Sequence, residues 1–260
     1  MARRTKEEAL ATRDSLLDAA ERVFGRRWVT RTTLDEVAAE AGVTRGAVYW
    51  HFRGKEELFR AMCDRAVLPL EQMLEQTARG RHQDPLGALA AVSVTALRNI
   101  ARTPRTRAVL DILFHRCESG VEGTGDIDAR ALHMEASNEQ CTASVGQLLR
   151  QAVRAGQLPP DTDVALAAYA VNAYFAGVVQ QWVSQPRAYD LELVAPALVS
   201  LMIAGLGAAP PRRALRARAA GLRRAPARPA GAGTPQTRGP RRAASPAAGS
   251  RSRRAGSTRA

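Results

Sequence analysis

Aromatic residues make up only 5% of this 260-residue chain, and cysteine occurs just three times. With few ring side chains and many helix-forming residues, the sequence lacks the usual material of β-sheets and predicts an all-α fold of one or two packed domains. Cys63, Cys117 and Cys141 are odd in number and far apart. They predict no disulfide framework, and a reducing cytoplasm is the simplest compartment for such a chain.

Long apolar runs and common catalytic motifs are missing as well. No stretch of about eighteen uncharged apolar residues appears, so no membrane span is predicted. The charged opening sequence MARRTKEEAL predicts no secretory signal. The four histidines are dispersed without HxxxH spacing, and the three cysteines form no CxxC motif. The sequence also lacks the catalytic and nucleotide-binding motifs GxSxG, GxxxxGK(S/T) and a strand-linked GxGxxG. We therefore expect no enzyme, no metal and no cofactor.

Positive charge is concentrated at one end of the chain. The net charge is +13, yet residues 208–260 contain fourteen arginines and no acidic residue. The other 24 basic residues and all 25 acidic residues precede this tail, which gives residues 1–207 a net charge of −1. The tail is rich in Ala, Arg, Pro, Gly and Ser, so we expect disorder. It is either a dispensable extension or a cationic arm that adds salt-sensitive affinity for DNA.

Before the tail, apolar residues recur at helical spacing. Thr32 or Thr33 is expected to cap a short helix that ends at Gly42, and Thr44 to cap the next, which ends near His51. We call residues 1–54 the head and residues 55–207 the body. Longer helices are predicted over residues 6–25, 55–77, 85–102, 105–118, 127–155, 161–184 and 190–206.

The segment TTLDEVAAEAGVTRGAVYWHF, residues 32–52, predicts a helix-turn-helix over residues 33–52. Glu36 is placed to complete a capping box on Thr33. Gly42 occupies the turn, where a left-handed backbone is cheap only for glycine. The expected interior consists of Val37, Ala38, Ala41, Val43, Val48 and Phe52.

The second of these helices carries polar and aromatic side chains for which the interior has no use. Arg45 can pair with guanine through two hydrogen bonds, and Gly46 allows the backbone to approach closely. Tyr49 offers a hydroxyl to phosphate and a ring to a thymine methyl. For Trp50, packing against the first and fourth helices is an equal alternative. The predicted DNA contacts, including flanking phosphate contacts, are Thr32, Thr33, Thr44, Arg45, Gly46, Tyr49, Trp50, His51 and Lys55.

These residues resemble those of a known family. The pattern TTLDEVAAEAGVTRGAVYWHFRGKEELF resembles the DNA-binding domain of the TetR family of transcriptional regulators, over residues 10–70. RRTKEEAxxTR, DILFHRCE and GQLPPD are similar to its AcrR/TtgR branch, which represses multidrug efflux operons. The resemblance covers residues 1–207, and Arg27-Trp28 stand where the family frequently has a glycine. It implies a homodimeric repressor that binds a palindromic DNA operator and is released by a small hydrophobic or aromatic effector.

The last two body helices are expected to form the dimer interface, because one recognition helix reads too few base pairs to find an operator. The alternative is that their apolar stripes face only the core of one subunit. The predicted interface residues are Tyr169, Ala170, Ala173, Gly177 and Gln181, followed by Leu193, Leu198, Leu201, Met202 and Leu206.

The resemblance also implies an effector cavity in the body, suited to flat hydrophobic drugs or phenolic compounds. Asp111 and His115 are candidates for orienting the ligand. The helix over residues 55–77 belongs to both head and body, so we expect it to transmit effector binding by separating the recognition helices. The predicted cavity residues are Val67, Leu70, Val92, Ala96, Asp111, Phe114, His115, Asn172, Phe175 and Val179.

Two other interpretations stay open at this point. A TetR-like protein can regulate another pathway or act as an activator, which the helix-turn-helix does not exclude. Alternatively, the cationic tail can make the chain a DNA-coating protein with little sequence preference. A coating protein would bind any duplex and depend on residues 208–260, whereas a repressor would need a short palindrome.

Overall fold

The computed structural model describes residues 6–117 and 129–207, with backbone alone for residues 129–134. The tail and the predicted start of a helix at residue 127 lie outside these residues. The described chain forms nine α-helices and one turn of 3₁₀ helix, Val29–Arg31, as an all-α fold requires. The helices are α1 (Lys6–Arg26), α2 (Leu34–Ala41), α3 (Arg45–His51), α4 (Lys55–Arg79), α5 (Pro85–Arg102), α6 (Pro104–His115), α7 (Ala129–Arg154), α8 (Val164–Ser184) and α9 (Leu191–Gly207).

Local chemistry fixes several helix ends. α5 begins at Pro85, where a missing N–H costs nothing, and the Asp84 carboxylate caps it by accepting a hydrogen bond from Gly87 N at 2.7 Å. Asp163 caps α8 in the same way through Leu166 N, at 3.3 Å. Because the cap lies at residue 163, α8 begins later than the predicted residue 161.

The head is built on α1, which packs against α2, α4 and α6. Its interior holds the fully buried Phe24, Val37 and Val48, and Phe52 at the end of α3 is buried beside them. The Phe24 ring meets Phe59 of α4 edge-on, with centroids 6.1 Å apart. α4 therefore continues the core of the head directly into the body.

The body is a layered helical bundle. α4 and α8 both pack on α7, and α5 packs on α9 and α6. Its buried residues and those of the head belong to one continuous hydrophobic cluster. No helix within residues 6–117 and 129–207 is both long and apolar enough to cross a membrane.

One surface formed by α8 and α9 leaves large apolar side chains exposed. Tyr169, Leu193 and Leu201 are exposed by 69%, 77% and 68%. The predicted stripe on α9 is wrong in part, because Met202 and Leu206 are buried within the subunit. These two residues lie four apart on the inward side of α9, whereas Leu193 and Leu201 lie on its outward side. We call the exposed surface the α8–α9 face, formed by Leu166, Tyr169, Ala170, Ala173, Gly177, Gln181, Leu193, Ala197 and Leu201.

Candidate nucleic-acid interface and ligand cavity

The first helix of the helix-turn-helix is fixed by the predicted capping box. Thr33 Oγ1 accepts a hydrogen bond from Glu36 N at 3.2 Å, and the Glu36 carboxylate accepts one from Thr33 N at 2.8 Å. Arg27 Nη1 lies 2.7 Å from Glu36 Oε1. The backbone hydrogen bond from Thr33, the Thr33 hydroxyl and the Arg27 charge together lower the pKa of Glu36. Arg27 therefore ties the turn after α1 to the start of α2.

The turn between α2 and α3 has the geometry that its sequence predicts. Gly42 adopts φ 67° and ψ 28°, in the left-handed region, and its N–H donates to the carbonyls of Ala38 and Ala39. This backbone conformation is the reason for glycine, since an added Cβ would meet no atom within 4 Å. Thr44 then caps α3 by accepting a hydrogen bond from Ala47 N at 3.3 Å. Both predicted caps are confirmed.

The outward side of α3 presents the residues that the interior leaves unused. Val48 is fully buried, whereas Tyr49 is 47% exposed and Trp50 is 70% exposed. Trp50 meets the ring of the neighbouring His51 edge-on, with centroids 4.5 Å apart. Trp50 is therefore a surface residue, and the alternative that it packs against the first and fourth helices is wrong. We call Thr44, Arg45, Gly46, Tyr49 and Trp50 the α3 face.

Arg45 is held in place by two neighbours. Its Nη1 lies 3.2 Å from Asp35 Oδ2, and its Nη2 donates to the Tyr49 hydroxyl at 3.3 Å. The guanidinium also lies 5.4 Å from the centre of the Tyr49 ring. The hydrogen bond to Tyr49 and the charge of Asp35 raise the pKa of Arg45. A guanidinium carries five N–H donors, so this arrangement orients Arg45 and leaves donors for base edges.

The residues predicted to contact phosphate differ in how far they are exposed. Thr32 is only 2% exposed, and its hydroxyl donates to Trp28 O at 3.1 Å across the 3₁₀ turn. The prediction that Thr32 contacts DNA is therefore not kept, because its side chain faces inward. Lys55 Nζ donates to Thr30 O at 3.0 Å and is half-buried, as is His51. Both residues stand at the edge of the α3 face rather than on it.

The body contains a mostly apolar cavity of about 1010 Å³ of empty space, part of it open to solvent. α4, α5, α6, α7 and α8 all contribute to its wall. Eight of the ten residues predicted for the cavity line it: Val67, Leu70, Val92, Ala96, Phe114, Asn172, Phe175 and Val179.

Asp111 and His115 do not line this cavity. His115 Nδ1 lies 3.1 Å from Asp111 Oδ1, and its Nε2 lies 2.8 Å from Ser184 Oγ, so the three residues link α6 to α8. Ser, His and Asp are the residue types of a hydrolase triad. The Ser184 hydroxyl, however, donates to the Gln180 carbonyl at 2.8 Å. It is therefore not oriented to pass its proton to His115, and the contact is a link between helices.

Sequence reasoning missed the contribution of α7 and one acidic residue of α4. Ser137, Cys141 and Val145 line the cavity at a spacing of four residues. This spacing is the sequence signal for a cavity-lining side of α7. It is easily missed, because a helix side that carries small polar residues is usually exposed to solvent. Glu71 also lines the cavity and accepts a hydrogen bond from the Ser137 hydroxyl. Burial, with a smaller contribution from Glu71, raises the pKa of Cys141 to about 11.

Head and body are also joined through α6. Arg105 Nη2, at the start of α6, lies 2.7 Å from Asp18 Oδ1 of α1. At the other end of α6, the Arg116 carbonyl accepts a hydrogen bond from Val29 N, in the 3₁₀ turn, at 3.0 Å. Because α6 also lines the cavity with Leu110, Leu113 and Phe114, one helix contacts both the cavity and the head.

A helix-turn-helix with an exposed recognition face, joined through shared helices to a body with an internal cavity, defines a ligand-responsive DNA-binding regulator. Within the described ranges, no group of three or more His, Cys, Asp and Glu residues is placed to hold a metal.

The chain belongs to the TetR family of bacterial regulatory proteins. Residues 16–62 match the tetR family of bacterial regulatory proteins, and residues 84–207 match the C-terminal region of MAATS-type transcriptional repressors. The protein is thus a DNA-binding transcriptional repressor, and its relatives are regulators rather than enzymes.

Relatives and solved structures agree with this assignment. The transcriptional regulator TtgR of Pseudomonas putida is 38% identical over 191 residues, which cover 74% of this chain and 89% of TtgR. NalD, the secondary repressor of the MexAB-OprM multidrug efflux pump in Pseudomonas aeruginosa, is similar in structure with a TM-score of 0.68 and 32% identity, covering 77% of this chain and 98% of NalD. The complex of SmeT, from Stenotrophomonas maltophilia, with triclosan gives a TM-score of 0.66 at 30% identity, covering 78% and 96%.

Proposed function

We propose that this protein represses a multidrug efflux operon in the cytoplasm. It binds a palindromic operator as a homodimer and leaves it when a small hydrophobic or aromatic effector occupies the cavity. The observation that carries this proposal is the presence, in one subunit, of an exposed α3 face and a mostly apolar cavity that is partly open to solvent. NalD and SmeT, both similar in fold and sequence, are repressors of multidrug efflux pumps, which favours efflux over another pathway.

The α3 face reads base edges in the major groove. Arg45, oriented by Asp35 and Tyr49, donates two hydrogen bonds to a guanine. Gly46 is exposed, and an added Cβ would meet only Thr44 Oγ1, at 3.9 Å. The fold itself does not require glycine at this position, which supports a close approach to DNA as the reason for it. Thr33 and the edge residues Lys55 and His51 are suited to phosphate contacts.

The α8–α9 face pairs with the same face of a second subunit. Tyr169, Leu193 and Leu201 are more than two-thirds exposed and lie among small residues. Gly177 lies on the same face, and an added Cβ there would meet no atom within 4 Å. Small residues of this kind allow two helices to approach closely across a two-fold axis. Such an axis places two recognition helices on successive turns of the operator.

Coupling between effector and operator passes through the two helices shared by head and body. α4 contributes Phe59 to the core of the head and Val67 and Leu70 to the cavity wall. α6 contributes Phe114 to the cavity wall and contacts α1 through Arg105. Residues 1–54 then serve as the DNA-binding head and residues 55–207 as the effector-binding and dimerisation body. An effector that prefers one arrangement of these helices changes operator affinity by a coupling energy of about 1–3 kcal/mol.

The proposal is tested by footprinting on the DNA upstream of the protein's own gene, followed by fluorescence anisotropy on the protected fragment. Arg45→Ala should weaken operator binding by about 1–3 kcal/mol and relax the preference for one base pair. Arg79→Ala removes the same charge from the far end of α4, where Arg79 pairs with Glu75, and should have little effect. Triclosan, the ligand of the SmeT complex, should release the wild-type protein from this fragment. Indifference to triclosan and to a panel of other hydrophobic aromatic compounds would contradict the effector role.

The same assay separates a repressor from a DNA-coating protein. A chain that ends at residue 207 should keep its preference for the operator and lose part of its salt-dependent affinity for any duplex. If that truncation instead abolishes most binding, and the full chain binds all duplexes equally, the coating interpretation is favoured. Protection of a fragment with no efflux gene beside it would favour regulation of another pathway.

A further inference from the structure

Asp35 places a carboxylate beside the α3 face. It lies in the first turn of α2 with its side chain 57% exposed, and its Oδ2 lies 3.2 Å from Nη1 of Arg45, which is 64% exposed. Phosphate repels a carboxylate, so a negative charge at a DNA-binding surface lowers the affinity for duplexes of every sequence. Asp35 therefore weakens DNA binding in general, and its place at this surface needs another explanation.

The start of α2 does not depend on Asp35. Thr33 and Glu36 already cap this helix, and their hydrogen bonds satisfy two backbone N–H groups. Glu36 also supplies a negative charge to the positive end of the helix dipole. The third carboxylate of α2, that of Glu40, joins α2 to α1 through two arginines. Asp35 has neither of these roles, and the hydrogen bond that it accepts comes from Arg45.

Asp35 and Tyr49 hold the two ends of the Arg45 guanidinium. Nη1 donates to Asp35, whereas Nη2 donates to the Tyr49 hydroxyl at 3.3 Å. A guanidinium that is free to turn can contact a phosphate on any duplex. One that is tied to a carboxylate of the protein reaches only acceptors in line with its remaining donors. Guanine presents two neighbouring acceptors, O6 and N7, in the major groove.

We propose that Asp35 is a specificity-determining residue of the operator interface, which keeps Arg45 away from the phosphates of unrelated DNA and available to a guanine of the operator. This inference rests on the proposed reading of base edges by the α3 face. On an unrelated duplex, Arg45 can reach phosphate only by leaving Asp35 unpaired beside the phosphate chain. On the operator, the pair stays intact while the remaining donors contact guanine. Asp35 thus discriminates by weakening the wrong complexes.

Two duplexes of equal length test this role, the footprinted operator fragment and a scrambled version of it. Fluorescence anisotropy on the full-length protein gives the dissociation constant of each at salt concentrations from about 50 to 200 mM. Asp35→Asn removes the charge and keeps the shape of the side chain. It should strengthen binding of the scrambled duplex by about three- to tenfold, because Arg45 becomes free to contact phosphate. Operator binding should change by less than about twofold, since the lost repulsion offsets the looser orientation of Arg45.

The salt dependence separates this role from an effect on stability. One added phosphate contact should steepen the plot of log affinity against log salt for the scrambled duplex by about 0.9. Residues 208–260 are the same in both proteins and contribute equally to the two slopes. In an Arg45→Ala background, Asp35→Asn should not steepen the plot, because the group that would reach phosphate is gone. Asp35→Glu keeps the charge and should keep most of the preference for the operator.

Asp14→Asn is the matched control for the loss of one negative charge. Asp14 is exposed on α1, and Arg65 contacts its backbone carbonyl rather than its side chain. The variant should change both affinities by the same small factor, so the preference for the operator and the salt slope should stay as in the wild-type protein. Thermal unfolding of each variant verifies that it is folded.

The outcomes separate this inference from the proposed function. If Arg45→Ala weakens operator binding while Asp35→Asn leaves the preference and the salt slope unchanged, the role of Asp35 is wrong and the α3 face still reads the operator. An equal loss of preference in Asp14→Asn would also overturn that role, since charge alone would explain the effect. If Arg45→Ala does not weaken operator binding, the proposed reading of base edges by Arg45 fails together with the role of Asp35.

Discussion

Arg105 Nη2 of α6 and Asp18 Oδ1 of α1 lie 2.7 Å apart, which joins a helix of the cavity wall to the first helix of the head. Arg65 of α4 contacts the same carboxylate oxygen at 2.8 Å and also pairs with Glu21. The side chains of Arg65 and Glu21 are only 18% and 13% exposed, so solvent screens this cluster less than a surface pair. Both helices that reach from the cavity to the head therefore meet α1 at one group of charges.

Arg105→Gln should weaken the coupling between effector and operator. The variant keeps α6 and the cavity wall but removes the charge that links α6 to α1. We expect effector binding alone and operator binding alone to change by less than about threefold. The change in operator affinity caused by saturating triclosan should shrink by about 0.5–2 kcal/mol. Fluorescence anisotropy with and without triclosan measures it.

Arg102→Gln is the matched control for this prediction. Arg102, at the end of α5, pairs with Glu192 of α9 and not with the head. Its loss should leave the triclosan response as it is in the wild-type protein. An unchanged response in Arg105→Gln as well would exclude the α6–α1 contact from the coupling.

Gly46→Ala should separate DNA binding from folding. An added Cβ has room in the free protein, and alanine is more favourable than glycine in a helix by about 1 kcal/mol. We expect an unchanged or higher melting temperature together with operator binding weakened about tenfold, because the methyl group blocks the close approach of backbone to DNA. Gly25→Ala adds the same methyl to α1, where it also meets nothing within 4 Å. Equal operator affinities for wild type and Gly46→Ala would remove Gly46 from the interface.

The head could be predicted well from sequence because its signals are local. A capping box on Thr33, a left-handed glycine at Gly42 and a second cap at Thr44 lie within twelve residues, and each has its own backbone geometry. The prediction that Thr32 contacts DNA is wrong because Thr33, not Thr32, caps α2 and Thr32 is buried. Only the 3₁₀ turn, which depends on the packing of Val29, shows that Thr32 faces inward.

The cavity was less predictable because it depends on how distant helices pack. Apolar residues on α4, α5 and α8 follow from helical periodicity combined with the family resemblance. Asp111 and His115 are residue types that often bind ligands, which is why the sequence predicts them as cavity contacts, yet His115 contacts Asp111 and Ser184 instead. Glu71 gave no sequence signal, since a glutamate on a long charged helix is usually solvent-exposed. Its place on the wall emerges only when α7 packs across α4.

Ala173→Arg should disrupt the dimer. Ala173 is exposed in the middle of the α8–α9 face, and a two-fold interface would bury two such arginines without partners. We expect a monomer in analytical ultracentrifugation and a loss of most operator affinity, because two half-sites can no longer be bound together. Ala91→Arg, at an exposed position of α5, should stay dimeric. A dimer of unchanged stability in Ala173→Arg would place the interface elsewhere.

Cys141 should report on the cavity through its slow alkylation. Its pKa, raised to about 11 mainly by burial and further by Glu71, lies about two units above that of an ordinary thiol, and only the thiolate reacts. At pH 7 iodoacetamide should modify Cys141 about 100-fold more slowly than an unstructured cysteine peptide, with the rate rising about tenfold per pH unit between 7 and 9. Glu71→Gln should speed the reaction by removing a like charge, and a bound ligand should slow it by covering the thiol.

Mass spectrometry of the peptide containing Cys141 measures the rate of alkylation. Cys63 is the unreactive internal control, because it is fully buried and its burial raises its pKa further than that of Cys141. A rate that does not depend on pH, or that ignores an added ligand, would mean that Cys141 does not sense the interior of the cavity.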